Sequence, residues 1–237
     1  MFWQIFSYEL KYKFRRPGIY IYWLVLFAFM FLIISALGGN ISVSVGGLGG
    51  NVNLNSPYLI YLFTAGFSYL AMILLPATIG TSIYKDFKNN THTILFSYPI
   101  SKWGYLGGRF LGAFIPTLFI FTALVTGYMA AIQMPWIDPG SIGAFRLDAY
   151  LQPFITSIIP NILLTGLIIF GLAALTRDLL STYLGCILII VLYGIGSSLM
   201  SDMDNQVVVS LIDPLGSAAL ENTAKYWTVS EKNAQLL

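Results

Sequence analysis

Four stretches of this chain contain no Asp, Glu, Lys or Arg: Arg16 to Lys85, Arg109 to Asp138, Asp148 to Arg177 and Asp178 to Asp202 mark their limits. An apolar segment of about 20 residues is long enough to cross a bilayer as a helix. The first stretch holds two such segments, separated by the Gly/Asn-rich GGNISVSVGGLGGNVNLNSP, and each of the others holds one. The pattern predicts five spans, at 19–37, 58–83, 106–132, 151–176 and 179–199.

A soluble fold could not accommodate this. Only 9% of the residues are charged and 57% are hydrophobic, against about 25% charged in soluble domains. Five buried charge-free runs would leave too little polar surface. The predicted class is therefore an all-α polytopic membrane protein, with the lipid bilayer as its solvent. A net charge of +2 gives no reason to expect a nucleic-acid partner. With Cys186 and His92 the only residues of their types, there is no ligand set for structural zinc.

Threading five spans from a cytoplasmic N-terminus puts Lys11, Lys13, Arg15, Arg16, Lys85, Lys88, Lys102, Arg109 and Arg177 inside. Only Arg146, Lys225 and Lys232, of 12 basic residues, then lie outside. The positive-inside rule selects this orientation. Residues 1–17 read as an amphipathic interfacial helix. Phe2, Phe6, Leu10 and Phe14 recur every four residues beside Trp3, while Lys11, Lys13 and Arg15 project elsewhere, and Pro17-Gly18 ends the run. A cleaved signal peptide is the competing reading. The apolar run from Ile19 to Ile34 is long for one and lacks a clear A-x-A site, so an uncleaved first span is preferred.

The polar chemistry collects between spans two and three, in KDFKNNTHTILFSYPISKWGYLGGRF. Phe87, Thr91 and Leu95 have helical spacing, with Phe96 beside them and Asp86 and Lys88 on other faces. Pro99 closes this stretch, Ser101 is a candidate N-cap, and small residues Gly104, Gly107, Gly108 and Gly112 follow. A surface helix here is a handle for a soluble partner; a solvated loop is the plainer alternative.

Those residues carry a resemblance. An interfacial helix, two spans, then Lys85-Asp86-Phe87, Asn90-Thr91-His92, Leu95, Pro99-Ile100-Ser101-Lys102, Tyr105, Gly108 and Arg109 resemble the permease subunit of a type-2 ATP-binding cassette (ABC) transporter. The resemblance implies that segment 84–103 couples to a separate ABC ATPase subunit through Lys85, Asp86, Phe87, Asn90, Thr91, His92, Leu95 and Pro99. Phe87 and Leu95 would enter an apolar cleft of that subunit, with Asp86 near a basic residue of it. It further implies a homo- or heterodimer with a second permease, a bacterial inner-membrane location, and no cofactor beyond ATP held by the partner. MPWIDP, AYLQPF, LLSDMDN, LIDPLG and KYWTVSEKN resemble the N-terminal part of large bacterial permeases, some fused to an aminopeptidase. That family has six spans, so residues 18–199 are expected to form an incomplete transmembrane domain. Residues 200–237 are then the extracytoplasmic segment before an absent sixth span, and the chain a fragment of a longer protein. LIDPLG within this segment is expected to start a short packed helix, with Asp213 as cap.

The chain has no GxxxxGK[ST] and no H-E-x-x-H, so neither nucleotide binding nor peptidase chemistry is expected within it. His92 reads as a polar surface residue. The competing assignment is a membrane anchor region of a larger peptidase-bearing protein. Pro76, Pro116 and Pro160 should kink the apolar runs or mark flexible points, while Thr64, Thr78, Thr81, Gln133, Asn161, Thr165 and Ser181 should bond between helices.

Overall fold

The computed structural model describes residues 2–38, 52–97, 101–200, 223–224 and 226–236, and among them every regular element is helical. The helices are α1 (Phe2–Phe14), α2 (Pro17–Gly38), α3 (Pro57–Ala71), α4 (Thr81–Lys88) and α5 (His92–Ser97). Then follow α6 (Lys102–Ile132), α7 (Leu147–Pro153), α8 (Ile159–Thr176), α9 (Leu179–Met200) and α10 (Val229–Ala234). Among the described residues, four helical runs are long and apolar enough to cross a membrane: Pro17–Gly38, Pro57–Leu74, Lys102–Ile132 and Leu147–Thr176. A shorter apolar helix covers Leu179–Leu192. The all-α polytopic class predicted from the charge gaps is the one observed. Only 11% of the first span's apolar window is buried within the chain. Leu24, Val25 and Leu32 are exposed there, as are Leu163 and Leu167 on α8 and Leu184, Leu188 and Leu192 on α9. Lipid or another membrane subunit must cover such a surface.

The prolines divide into two behaviours. Around Pro76 the second span changes from α-helix to a 3₁₀ turn at Met72–Leu74 and then to a π-helical turn at Pro76–Gly80, before α4 resumes. A proline cannot donate the fourth-neighbour hydrogen bond, and the wider turn relieves that. A second π turn, Phe154–Ile158, lies between Pro153 and Pro160 in the Leu147–Thr176 run. Pro116 behaves differently and lies inside the uninterrupted α6.

Two compact units are distinguishable. The first comprises Met1–Tyr22, Ala71–Ile120 and Asn161–Gly196. Its core holds Leu75, Ile79, Ile83, Phe110, Ile162 and Ile169, with the Phe110 and Phe170 rings edge to face at 5.4 Å. Gly80 lets α8 and α9 close in: a Cβ there would stand 3.2 Å from Thr182. The Arg177 guanidinium lies 4.8 Å from the centre of the Phe87 ring, so the connections after α4 and after α8 meet on one side.

The second unit comprises Trp23–Leu70, Phe121–Pro160 and Ser197–Leu237. Here Gly127 brings α6 against α2, where an added Cβ would be 2.7 Å from the Phe27 carbonyl oxygen. Tyr128 OH donates to the Leu54 carbonyl at 2.6 Å, and Asn55 exchanges hydrogen bonds with Gly143. The C-terminal α10 begins with a Thr228/Glu231 capping box and is held by Asn233, whose Oδ1 accepts from Asn53 N at 2.8 Å. Asp213 and the LIDPLG stretch lie outside the described residues.

Several polar side chains expected to bond between helices donate within their own helix instead. Thr78 donates to Leu74 and Leu75, Thr81 to Ala77, Thr165 to Asn161, and Gln133 to Met129, each through a carbonyl a turn earlier. The nearest free acceptor in a helix is that carbonyl, and no rearrangement is needed to reach it.

A buried ionic cluster at the mouth of three spans

The expected amphipathic helix through Phe87, Thr91 and Leu95 is broken. α4 ends at Lys88, Asn90 sits at φ 54°, and α5 starts at His92. Asparagine tolerates the left-handed conformation better than most residues, which is why the break falls there. Phe87 and Leu95 therefore belong to different helices. Phe87 is half-buried, its ring 5.0 Å from His92, whose Nδ1 lies 3.3 Å from the Asp86 carbonyl oxygen. Asn90 and Thr91 are exposed at the turn. Pro99 and the side chain of Leu95 lie outside the described residues. Ser101 does cap α6, accepting from Gly104 N at 3.0 Å.

Asp86 is not on a surface. It is 3% exposed and bonded on both oxygens: Arg109 Nη2 donates to Oδ1 at 2.7 Å, and Tyr105 OH donates to Oδ2 at 2.7 Å. Arg109 of the same chain thus gives Asp86 a basic partner. Lys85 is likewise paired internally, at 2.6 Å from Oε2 of Glu9, and Arg109 Nη1 donates to that same oxygen at 2.5 Å. Glu9 is fully buried. One turn on, Lys13 is also buried, contrary to the outward direction its spacing predicts. Its ammonium donates to Thr81 Oγ1 at 2.9 Å and to the Thr78 carbonyl inside the π turn.

Local sequence explains why α1 can come this close. Gly104, Gly108 and Gly112 recur every four residues and so form one stripe on α6. A Cβ on Gly108 would stand 3.1 Å from Ile5, and one on Gly112 2.6 Å from the Glu9 Cβ. Small residues of this kind let helix backbones approach. Tyr105 and Arg109, also four apart, present the cluster's other half from the same helix.

Electrostatics favours the ionised form of Glu9. Burial is the largest single influence on Glu9 and would raise its pKa, but Lys85, Arg109 and Lys13 together outweigh it and hold the carboxyl below its ordinary 4.5. Lys85 is lowered, mainly by burial and partly offset by Glu9. Lys13, more deeply enclosed and with neutral hydrogen-bond partners, is brought down to about 8 by burial.

Glu9, Lys13, Tyr105 and Arg109 are the members that site prediction missed. Two signals were present. Glu9 is the only acidic residue before Asp86, and Arg109 is a lone charge at the start of an apolar run, where an ionisable residue needs a partner. Among the described residues no group of His, Cys, Asp and Glu side chains could hold a metal ion.

Several helices able to span a membrane, with an ion-paired cluster joining an N-terminal helix to the ends of two of them, define a multi-pass membrane protein. A family model described as ABC-2 family transporter protein matches residues 54–220, well over half of the chain, and the chain belongs to that family. It is a membrane component of a transporter. No curated protein and no solved structure matches it.

Proposed function

We propose that this permease is driven by a separate ABC ATPase that engages the tip formed by the end of α4, the Asn89–Thr91 turn and α5. The observation carrying this reading is the contrast between that tip and its base. Lys88, Asn89, Asn90 and Thr91 are exposed, whereas Asp86, two residues earlier, is locked to Arg109 and Tyr105. A push on the tip is therefore delivered to α6 and, through Glu9, to α1, instead of being absorbed by a loose loop. Lys85 and Asp86 act here as the rigid mount, and Phe87, Asn90, Thr91, His92, Leu95 and Pro99 as the contact or its support. The same reading puts the N-terminus in the cytoplasm of a bacterial cell, with ATP bound by the partner and a second permease completing the pathway. A peptidase-anchor role has no described residue in its favour.

Co-purification of the ATPase with the wild-type permease, and its loss in a Lys88→Glu/Asn89→Ala/Thr91→Ala variant of unchanged thermal stability, is the expected result. Full transport in cells lacking any ATPase would exclude the proposal.

A further inference from the structure

Next to the cluster is a cavity of about 500 Å³, lined by Tyr8 and Tyr12 of α1, Lys85, Asn89 and Thr91, and Arg109 of α6. Its position is fixed by connectivity. α1 immediately precedes the first span, Lys85 follows the second, and Arg109 lies near the start of the third, so the cavity stands where three spans meet the membrane surface on one side.

Its charge is unbalanced. Lys85, Arg109 and Asp86 line the cavity, and Glu9 and Lys13 of the cluster, which are not part of the lining, bring the count to three cations against two carboxylates. Both oxygens of Asp86 are occupied by Arg109 and Tyr105. Arg16, which does not line the cavity, has its guanidinium 4.3 Å from the Tyr12 ring centre and donates to the Tyr12 hydroxyl. That leaves the Tyr12 proton available to another acceptor. Lys85 sits 3.9 Å from the same ring centre and uses one donor on Glu9. Arg109, 5% exposed, keeps its Nε–H without a protein acceptor, and Glu9 Oε1 in the same cluster has no protein donor. Ammonium, guanidinium, phenol and amide donors around an excess positive charge make a receptor for a compact anion with several acceptor oxygens.

We propose that this cavity binds the phosphate of an anionic lipid headgroup, with Lys85, Tyr8, Tyr12 and Asn89 as donors and the excess positive charge of the cluster as the attraction. Phosphate is the acceptor-rich anion concentrated at this depth, and basic pockets between spans are suited to it. The cavity shares Asn89 and Thr91 with the ATPase contact proposed above, but lipid retention is read on the permease alone and so stands or falls separately from that contact.

The test uses the full chain, purified in a neutral detergent and titrated with phosphatidylglycerol, phosphatidylcholine or inorganic phosphate at matched ionic strength. Native mass spectrometry is expected to show one phosphatidylglycerol retained per chain and no comparable retention of phosphatidylcholine. Tyr8→Phe/Tyr12→Phe removes two hydroxyl donors without touching an ion pair and is expected to weaken retention by about tenfold or more. Inorganic phosphate that displaces the lipid at similar concentration would assign the site to free phosphate, keeping the chemistry and changing the source. Equal retention by wild type and the double variant, or by the two lipids, overturns the proposal. Should the variant misfold, a phosphatidylglycerol with a photoreactive headgroup decides the matter on the wild type: crosslinks within residues 4–12 or 85–91 support the site, and crosslinks confined elsewhere refute it.

Discussion

Replacing Glu9 by glutamine keeps the shape of the side chain and removes the charge that joins α1 to the rest of its unit. Glu9 is fully buried, and its Oε2 takes both Lys85 at 2.6 Å and Arg109 at 2.5 Å. After Glu9→Gln, Lys13, Lys85 and Arg109 face Asp86 alone. Breaking a buried pair by removing one partner costs about 3–5 kcal/mol. The Gln amide oxygen still accepts one hydrogen bond, so the lower end, about 3 kcal/mol, is expected. For a chain of this length that corresponds to a fall of roughly 6–12 °C in unfolding temperature, measurable by differential scanning fluorimetry in detergent. Glu9→Gln/Lys85→Met should recover part of the loss, because the second change removes an unpaired cation, and the departure from additivity measures the pair. Acid makes the same cut in the wild type. Since the folded pKa of Glu9 is depressed, its stabilisation is complete above about 4.5 and disappears as the pH falls through the lower folded value. The variant lacks that acid-sensitive component. A loss below about 1 kcal/mol, or strict additivity in the double variant, would refute a cluster held by Glu9.

Gly112→Ala should push α1 away without altering any charge, since the new methyl would stand 2.6 Å from the Glu9 Cβ; a loss of about 1–3 kcal/mol in thermal unfolding is expected. The folded pKa of Lys13 is lowered to about 8 from 10.5, so the folded state disfavours its ammonium and stability should rise between those pH values. Lys13→Met should reduce that alkaline rise in pH-dependent melting, leaving the part due to Lys85. Asn90→Val forces a β-branched residue into a φ of 54° and should cost about 1–3 kcal/mol, whereas Asn90→Gly should be close to neutral by the same assay.

Spans were legible because charge-free runs follow directly from the cost of charge in hydrocarbon, and the polar stretch after the second span was conspicuous for the same reason. Ser101 announced its own cap. What failed was direction and partnership. The four-residue recurrence of apolar residues placed Lys13 away from the buried face, but spacing cannot register a neighbouring helix with a glycine stripe, and Gly112 brought the Glu9 face of α1 into an interior. The intrachain bond of Asp86 was not legible, because Arg109 lies 23 residues away across a turn. The Asn90 break was hidden by a helical period that continues through it. Pro76 and Pro116 read alike in sequence, yet only the former sits where the helix departs from α geometry.

The cluster also sets an order of assembly. Glu9 is separated from Lys85 by 76 residues and from Arg109 by 100. At about 5–20 residues per second, synthesis leaves Glu9 without its second partner for roughly 5–20 s. For most of that interval the first span is already made, while the Glu9 carboxylate on α1 has only water and Lys13, one turn away, to stabilise it. α1 must therefore wait at the aqueous surface until two more spans have emerged. The first helix to be translated is then among the last to dock, and a delay in inserting the third span would leave the whole N-terminal helix unanchored.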